Sequence, residues 1–379
     1  MQVWKRPGEL ADASYPRSRD FNVADHQRNA MKLIVLLLAL VSFNGWSGSA
    51  DRNYSVTTPG EFIVLENGRG IKAVVAPDRG GELTAFSVFS GGKWYELLYR
   101  AMDYTTQPGW RGKAPLLWPA TGVSLIEDSQ EKGYQLGRTF YEMPFHGFAK
   151  SRQWQVIQKT QSAKLASVTL QLSSSSETLR LYPFAFDLQI EYRLQNDRLS
   201  LLYKITAGAG NNSGMPFSIG NHITFNAPLV EGSEAAQLQF ENDFPDQLMT
   251  DSDKAFKGVI KPSPFQGRYS MGELPKRKSV SLGGQNSHPE LTIYDPAGLQ
   301  LKLVHHSSVE PTQPAIQFNL WADAEVGFFS PEPWVGTQNS LNTGMGIISL
   351  QPGQTWQWQI DIIPTWDKQS DTINSKELQ

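Results

Sequence analysis

Phe186-Asp187-Leu188-Gln189-Ile190-Glu191-Tyr192-Arg193-Leu194 alternates apolar and polar residues without a break. Successive side chains of an extended chain point to opposite faces, so this stretch reads as a strand with one buried face. Asn196-Asp197 then turns the chain, and Leu199-Ser-Leu-Leu-Tyr-Lys-Ile205 returns, which predicts a hairpin. Near the end, Trp356, Trp358, Ile360 and Ile362 alternate with Gln357, Gln359 and Asp361. Shorter segments of the same kind lie at 61–66, 71–76, 83–89, 165–172, 291–294, 299–304 and 316–321. No comparable stretch carries a helical period, there is no internal repeat, and Ser173 to Ser176 reads as a polar loop. The expected fold class is therefore all-β, with one large antiparallel β-sandwich over 51–379. A sandwich of that length needs wide sheets or large insertions.

Composition supports this and removes several function classes. Of 379 residues, 40% are hydrophobic and 19% charged, which fits a packed globular chain and not a disordered one. Gly 32 and Pro 23 supply the turns that many short strands require. Lys+Arg 34 against Asp+Glu 37 is close to balance, with no long basic block, so nucleic acid is not an expected partner. With no cysteine, the chain has no disulfides, thiol nucleophile or Cys-ligated metal.

The apolar run Leu33–Val41 is about half of the ~20 residues that a membrane-spanning helix needs. Met31-Lys32 precedes it and Gly48-Ser49-Ala50 follows, which together read as a secretory signal peptide. Residues 1–50 are expected to be an N-terminal extension and signal, with Met31 the true start and cleavage after Ala50. The mature protein is then periplasmic or secreted, with no membrane attachment once the signal is removed. The competing reading of the run is a buried strand or an anchor.

Six histidines are present, at 26, 146, 222, 288, 305 and 306. No Gly-x-Ser-x-Gly elbow accompanies them, which argues against a serine hydrolase. His305 and His306 are adjacent on an expected strand, so they face opposite ways and cannot share an ion. Gly208-Ala-Gly210 does not complete a phosphate-binding loop. Neither a metal nor a cofactor is expected. Three segments stand out: Met143-Pro-Phe-His146-Gly-Phe-Ala-Lys150 with Trp154 beyond; Pro216-Phe-Ser-Ile-Gly-Asn221-His222-Ile-Thr-Phe-Asn226; and Ser330-Pro-Glu332-Pro-Trp334-Val-Gly336. Each proline fixes its own φ and extends the residue before it, so Glu332 has a stiff mount and Trp334 should share its face. Taken singly, these could be a hydrogen-bonded core His or an edge-strand Glu.

Those segments, with Trp118-Pro-Ala-Thr-Gly122 and Leu350-Gln-Pro-Gly353, occur in an order that resembles the galactose mutarotases, or aldose 1-epimerases, and especially their hexose-6-phosphate mutarotase-like branch. The likeness covers most of residues 60–365. The resemblance implies a large antiparallel β-sandwich of the galactose mutarotase-like type that interconverts the α and β anomers of an aldose. In it Glu332 matches the general base and His222 the general acid, while His146 matches the second His that contacts the sugar. Arg111, Lys150, Asn221 and Trp334 are further substrate-binding candidates. The partner implied is a free aldose or an oligosaccharide end. A second reading is a non-catalytic carbohydrate-binding protein of this fold, and a third a β-sandwich domain of a polysaccharide-degrading system.

The chain departs from the branch in three places. Lys150 stands where Arg is usual after His-Gly-Phe-Ala, losing a planar bidentate fork. Thr224 replaces a Tyr, and Val123-Ser124 stand where an Arg is expected, for which Arg111 is the candidate substitute. The family's hydroxyl-binding acid is one of Asp243, Asp246, Asp251 or Asp295. If Glu332 and His222 keep ordinary pKa values, a pH bell between ~4.3 and ~6.5 follows, and work at neutral pH needs the His value raised.

Overall fold

The structure, a computed structural model, describes residues 54–100, 113–126, 131–250, 256–284 and 287–367. The expected signal segment, Arg111 and Asp251 lie outside the described residues.

The predicted hairpin forms as Phe186–Gln195 and Arg198–Ala207, antiparallel, with Leu188 opposite Ile205 and Ile190 opposite Tyr203. Leu188, Ile190, Tyr192, Leu201, Tyr203 and Ile205 are all buried, while Asp187, Gln195 and Lys204 are exposed. Thr355–Trp366 pairs with Arg198–Ala207 on one side and Leu299–Ser307 on the other. These strands are the middle of a nine-stranded sheet. Each of the shorter alternating segments also falls on a strand, and the sheets are antiparallel, as the alternation predicts.

A second sheet of eight strands carries Ile316–Asp323, Phe328–Gly336, Ile219–Asn221 and Leu116–Leu117 side by side. The two large sheets pack into one continuous core. His305 meets Phe318 at 5.0 Å and Phe240 meets Phe329 at 5.4 Å across that interface. Trp118, fully buried, packs edge-on against Phe186 at 4.5 Å. Burying such a ring is worth about 1.5–3 kcal/mol, so this contact ties the Trp-Pro-Ala-Thr-Gly segment firmly to the nine-stranded sheet. The extra length sits in a five-stranded sheet over residues 55–96 and a hairpin over 133–142. Among the described residues the α-helices, Thr178–Leu181 and Ser340–Thr343, are single turns.

The Glu332 strand is not at an edge. Phe328–Gly336 pairs with Ile316–Asp323 on one side and with Ile219–Asn221 and Phe225–Asn226 on the other.

Candidate active site

Pro331 and Pro333 have no N–H to give to a sheet ladder. Opposite them the neighbouring chain leaves the sheet: its pairing ends with Gly220 against Trp334 and resumes with Phe225 against Phe329. Both pairings share one register, and carried through the gap it sets His222 across from Glu332. The main chain freed there turns elsewhere, with His222 N–H donating to Pro115 O at 3.0 Å and Thr224 N–H to Lys113 O at 2.8 Å. On the other side Asn319 is the direct cross-strand partner of Glu332. One row across the sheet therefore reads Asn319, Glu332, His222.

Glu332 is 1% exposed, and each of its oxygens faces an N–H donor. Asn319 Nδ2 donates to Oε1 at 3.0 Å and Trp334 Nε1 to Oε2 at 3.1 Å. His222 Nε2 lies 3.6 Å from Oε1. Moving a lone carboxylate out of water costs several kcal/mol. Hydrogen bonds to a charged acceptor return about 1.5–3 each. Burial dominates: the Glu332 carboxyl is pushed up to about 8, against the opposing pull of Asn319 and Trp334. Burial likewise drives His222 down to about 4, assisted by the positive charge of Lys150. The His value is thus lowered where the sequence argument wanted it raised, because no ionised acid outweighs the loss of water around the ring.

Trp334 shares the Glu332 face, as the spacing predicts. It is 1% exposed, so it holds the carboxylate and offers no open ring to a sugar. The indole reaches this position only because residue 220 is glycine: a Cβ there would stand 2.6 Å from Trp334 Cδ1. A partly exposed ring at the site is Trp321, edge-on to His222 at 5.8 Å. Beneath the pair, Thr224 Oγ1 and Ser330 Oγ are hydrogen-bonded at 2.8 Å.

His146 comes from a loop and sits in the left-handed region at φ 62, a conformation costing about 1–3 kcal/mol in a non-glycine residue. Gly147 follows at φ 69, and a Cβ on it would collide with the Trp118 carbonyl at 2.1 Å. Gly122 N–H donates to His146 Nδ1 at 2.9 Å, so the proton of the neutral ring is on Nε2. His146 therefore acts as a hydrogen-bond donor. Its ring lies 5.7 Å from that of His222 and 6.0 Å from that of Trp334, between centroids. Lys150 holds the loop, with Nζ donating to Phe145 O at 2.5 Å and Gly147 O at 2.8 Å. Burial takes its ammonium down to about 8. Lys150 thus positions His146, where the sequence argument assigned it to substrate.

Asn221 is buried beside the site, with Nδ2 on Tyr203 Oη at 2.9 Å and Oδ1 without a hydrogen-bond partner. Asp295 is consumed by the fold, accepting from Leu229 N, Val230 N, Ala297 N and Ser233 Oγ. His305 is likewise satisfied, with Nε2 donating to Gln317 O at 2.7 Å and Trp358 donating to Nδ1 at 3.1 Å. His306 lies on the other face beside His288, with 5.1 Å between ring centroids. Among the described residues no three His, Asp or Glu side chains are grouped as metal ligands. Asn319 and Trp321 are not singled out in the sequence, and Ser330 and Gly220, though inside the quoted segments, carry no role there. The alternation at 316–321 puts Asn319 and Trp321 on one face, but only the strand pairing says which face meets Glu332.

The family model for aldose 1-epimerase matches residues 61–362. The plasmid-encoded protein LacX of Lactococcus lactis subsp. lactis is 26% identical over 283 residues, which are 70% of this chain and 85% of LacX. Among solved structures, a galactose mutarotase-like protein from Lactobacillus casei ATCC 334 superposes with a TM-score of 0.65 at 24% identity, covering 80% of this chain and 100% of that one. A galactose 1-epimerase from Lactobacillus acidophilus NCFM does so with a TM-score of 0.61 at 16% identity, covering 83% and 98%. A match across most of the described sandwich, on a fold shared with mutarotase-like proteins, places the chain in the aldose 1-epimerase family.

Proposed function

We propose that the protein is an exported aldose 1-epimerase that interconverts sugar anomers by acid–base ring opening and closure, with Glu332 and His222 as the proton-transferring pair. The observation that carries this is the 3.6 Å approach of His222 Nε2 to Glu332 Oε1 at the gap in the sheet, beside the donor His146. Opening a pyranose requires a proton to leave the anomeric O1 hydroxyl and another to reach the ring oxygen. A carboxylate and an imidazole that face each other can do both. Glu332 takes the O1 proton and His222 gives one to the ring oxygen, while the His146 Nε2–H steadies charge on that oxygen. Rotation about C1–C2 and the reverse transfers close the ring on the other face.

With the Glu332 value near 8 and the His222 value near 4, the pair holds one proton between those pH values. The resting arrangement, protonated Glu332 with neutral His222, is also the arrangement that ring opening leaves behind. Once the ionised pair has formed, the proton transfers of ring opening return it to that arrangement, which burial favours. The bond from each Glu332 oxygen to an N–H donor has the opposite effect and keeps the ionised form within reach.

Export rests on the Met31–Ala50 segment. Outside the cytoplasm sugar phosphates are scarce, and two of the three N–H donors of Lys150 go to backbone carbonyls, so the substrate of this reading is a neutral aldose. Polarimetry of fresh α-D-glucose, α-D-galactose and other aldoses tests the activity. Measurable sugar binding with no acceleration for any of them supports the carbohydrate-binding reading instead.

A further inference from the structure

We infer that Phe145 forms an outer subsite that stacks on the sugar unit next to the reducing end, making reducing disaccharides and longer oligosaccharides preferred substrates. The inference rests on the mutarotase reading and specifies its substrate class.

In an extended chain Phe145 and His146 would point to opposite sides. The positive φ of His146 undoes this and brings the two rings together, with 3.9 Å between centroids. The His146 ring is nearly buried at 9% exposure, whereas Phe145 is 50% exposed. Phe145 therefore continues the His146 surface outward from the catalytic pair. It is also held there: Lys150 binds the carbonyl of Phe145 itself and that of Gly147.

The neighbouring groups suit a neutral saccharide. The Lys150 ammonium gives two of its N–H donors to carbonyls, and Arg152 pairs with Glu177 at 2.6 Å, so both cations already have partners within the protein. A pyranose has an apolar C–H face that packs on an aromatic ring, and its hydroxyls stay hydrated at a rim. If His146 touches the unit undergoing ring opening, a ring one residue farther out meets whatever is joined to that unit. In a reducing oligosaccharide this is the next sugar.

The test compares maltose, cellobiose and lactose with glucose and galactose, by anomerisation rate and by binding, in the wild-type protein, Phe145→Ala and Phe145→Trp. The wild type should show a higher kcat/KM for at least one disaccharide than for its reducing-end monosaccharide. In Phe145→Ala the disaccharide-to-monosaccharide ratio should fall about three- to tenfold, the range of one aromatic stacking contact, and Phe145→Trp should restore it. A ratio that Phe145→Ala leaves unchanged overturns the inference while leaving mutarotation intact. Failure to accelerate any sugar sinks the mutarotase reading instead. In that case, disaccharide binding that Phe145→Ala weakens supports the outer subsite, and binding that it leaves unchanged overturns it.

Discussion

His222 Nε2 and Glu332 Oε1 stand 3.6 Å apart across a gap in a β-sheet that two prolines hold open. Burial has pushed the two groups' proton affinities in opposite directions from their ordinary values, the carboxyl upward and the imidazole downward. The pair therefore keeps a single proton across a wider pH range than free Glu and His side chains would.

The pH profile follows from that separation. Below about 4, His222 takes up a second proton and the pair loses its base; above about 8, the last proton leaves and the pair loses its acid. The rate should be bell-shaped with limbs near those values, in place of the narrow bell that unperturbed groups would give. An activity profile that falls steeply between pH 5 and 7 would contradict this.

Trp334→Phe keeps the ring and deletes the N–H that supports the carboxylate on Oε2. Losing a donor to the charged form raises the pKa, so the alkaline limb should move to higher pH. The maximum rate should drop about 10- to 100-fold, in keeping with one lost hydrogen bond to a charged group at about 1.5–3 kcal/mol. Gly220→Ala should shift the limb the same way, because its Cβ displaces the indole. Unchanged alkaline limbs in both variants would show that Trp334 does not support the base.

Lys150→Met removes a positive charge that lowers the His222 value and a clamp on the His146 loop. Protonation of His222 becomes easier, so the acid limb should move upward in pH, and KM should rise as His146 loses its fixed position. Lys150→Arg keeps the charge and should keep the limb. An acid limb that stays put in Lys150→Met would break the link between the two groups.

The alternation at 186–194 and its companions revealed the β architecture because half-buried strands leave a period of two in the sequence. Pro-Glu332-Pro could likewise be read as a rigid mount, since proline acts locally. What escaped was non-local. Asn319 matters because it lies opposite Glu332, and Trp321 because it lies against His222. Neither relationship is visible before strands 316–323 and 328–336 are paired. The sheet gap itself depends on chain segments more than a hundred residues apart sharing one register. Lys150 reads as a ligand group because its charge is plain in sequence, whereas its bonds to the Phe145 and Gly147 carbonyls depend on the loop's three-dimensional path. The direction of the His222 shift was missed for a similar reason: burial is a property of the fold.

In the proposed reaction Glu332 and His222 move the protons of sugar ring opening. Anomerisation of an accepted aldose, followed by polarimetry at pH 6 in the wild type, Glu332→Gln and His222→Asn, tests it most directly. The expected outcome is wild-type acceleration over the uncatalysed rate, a fall in kcat of about 10²–10⁴-fold in either variant, and little change in sugar affinity. Glu332→Gln retaining wild-type kcat would contradict it and leave the Pro-Glu-Pro segment as structure alone.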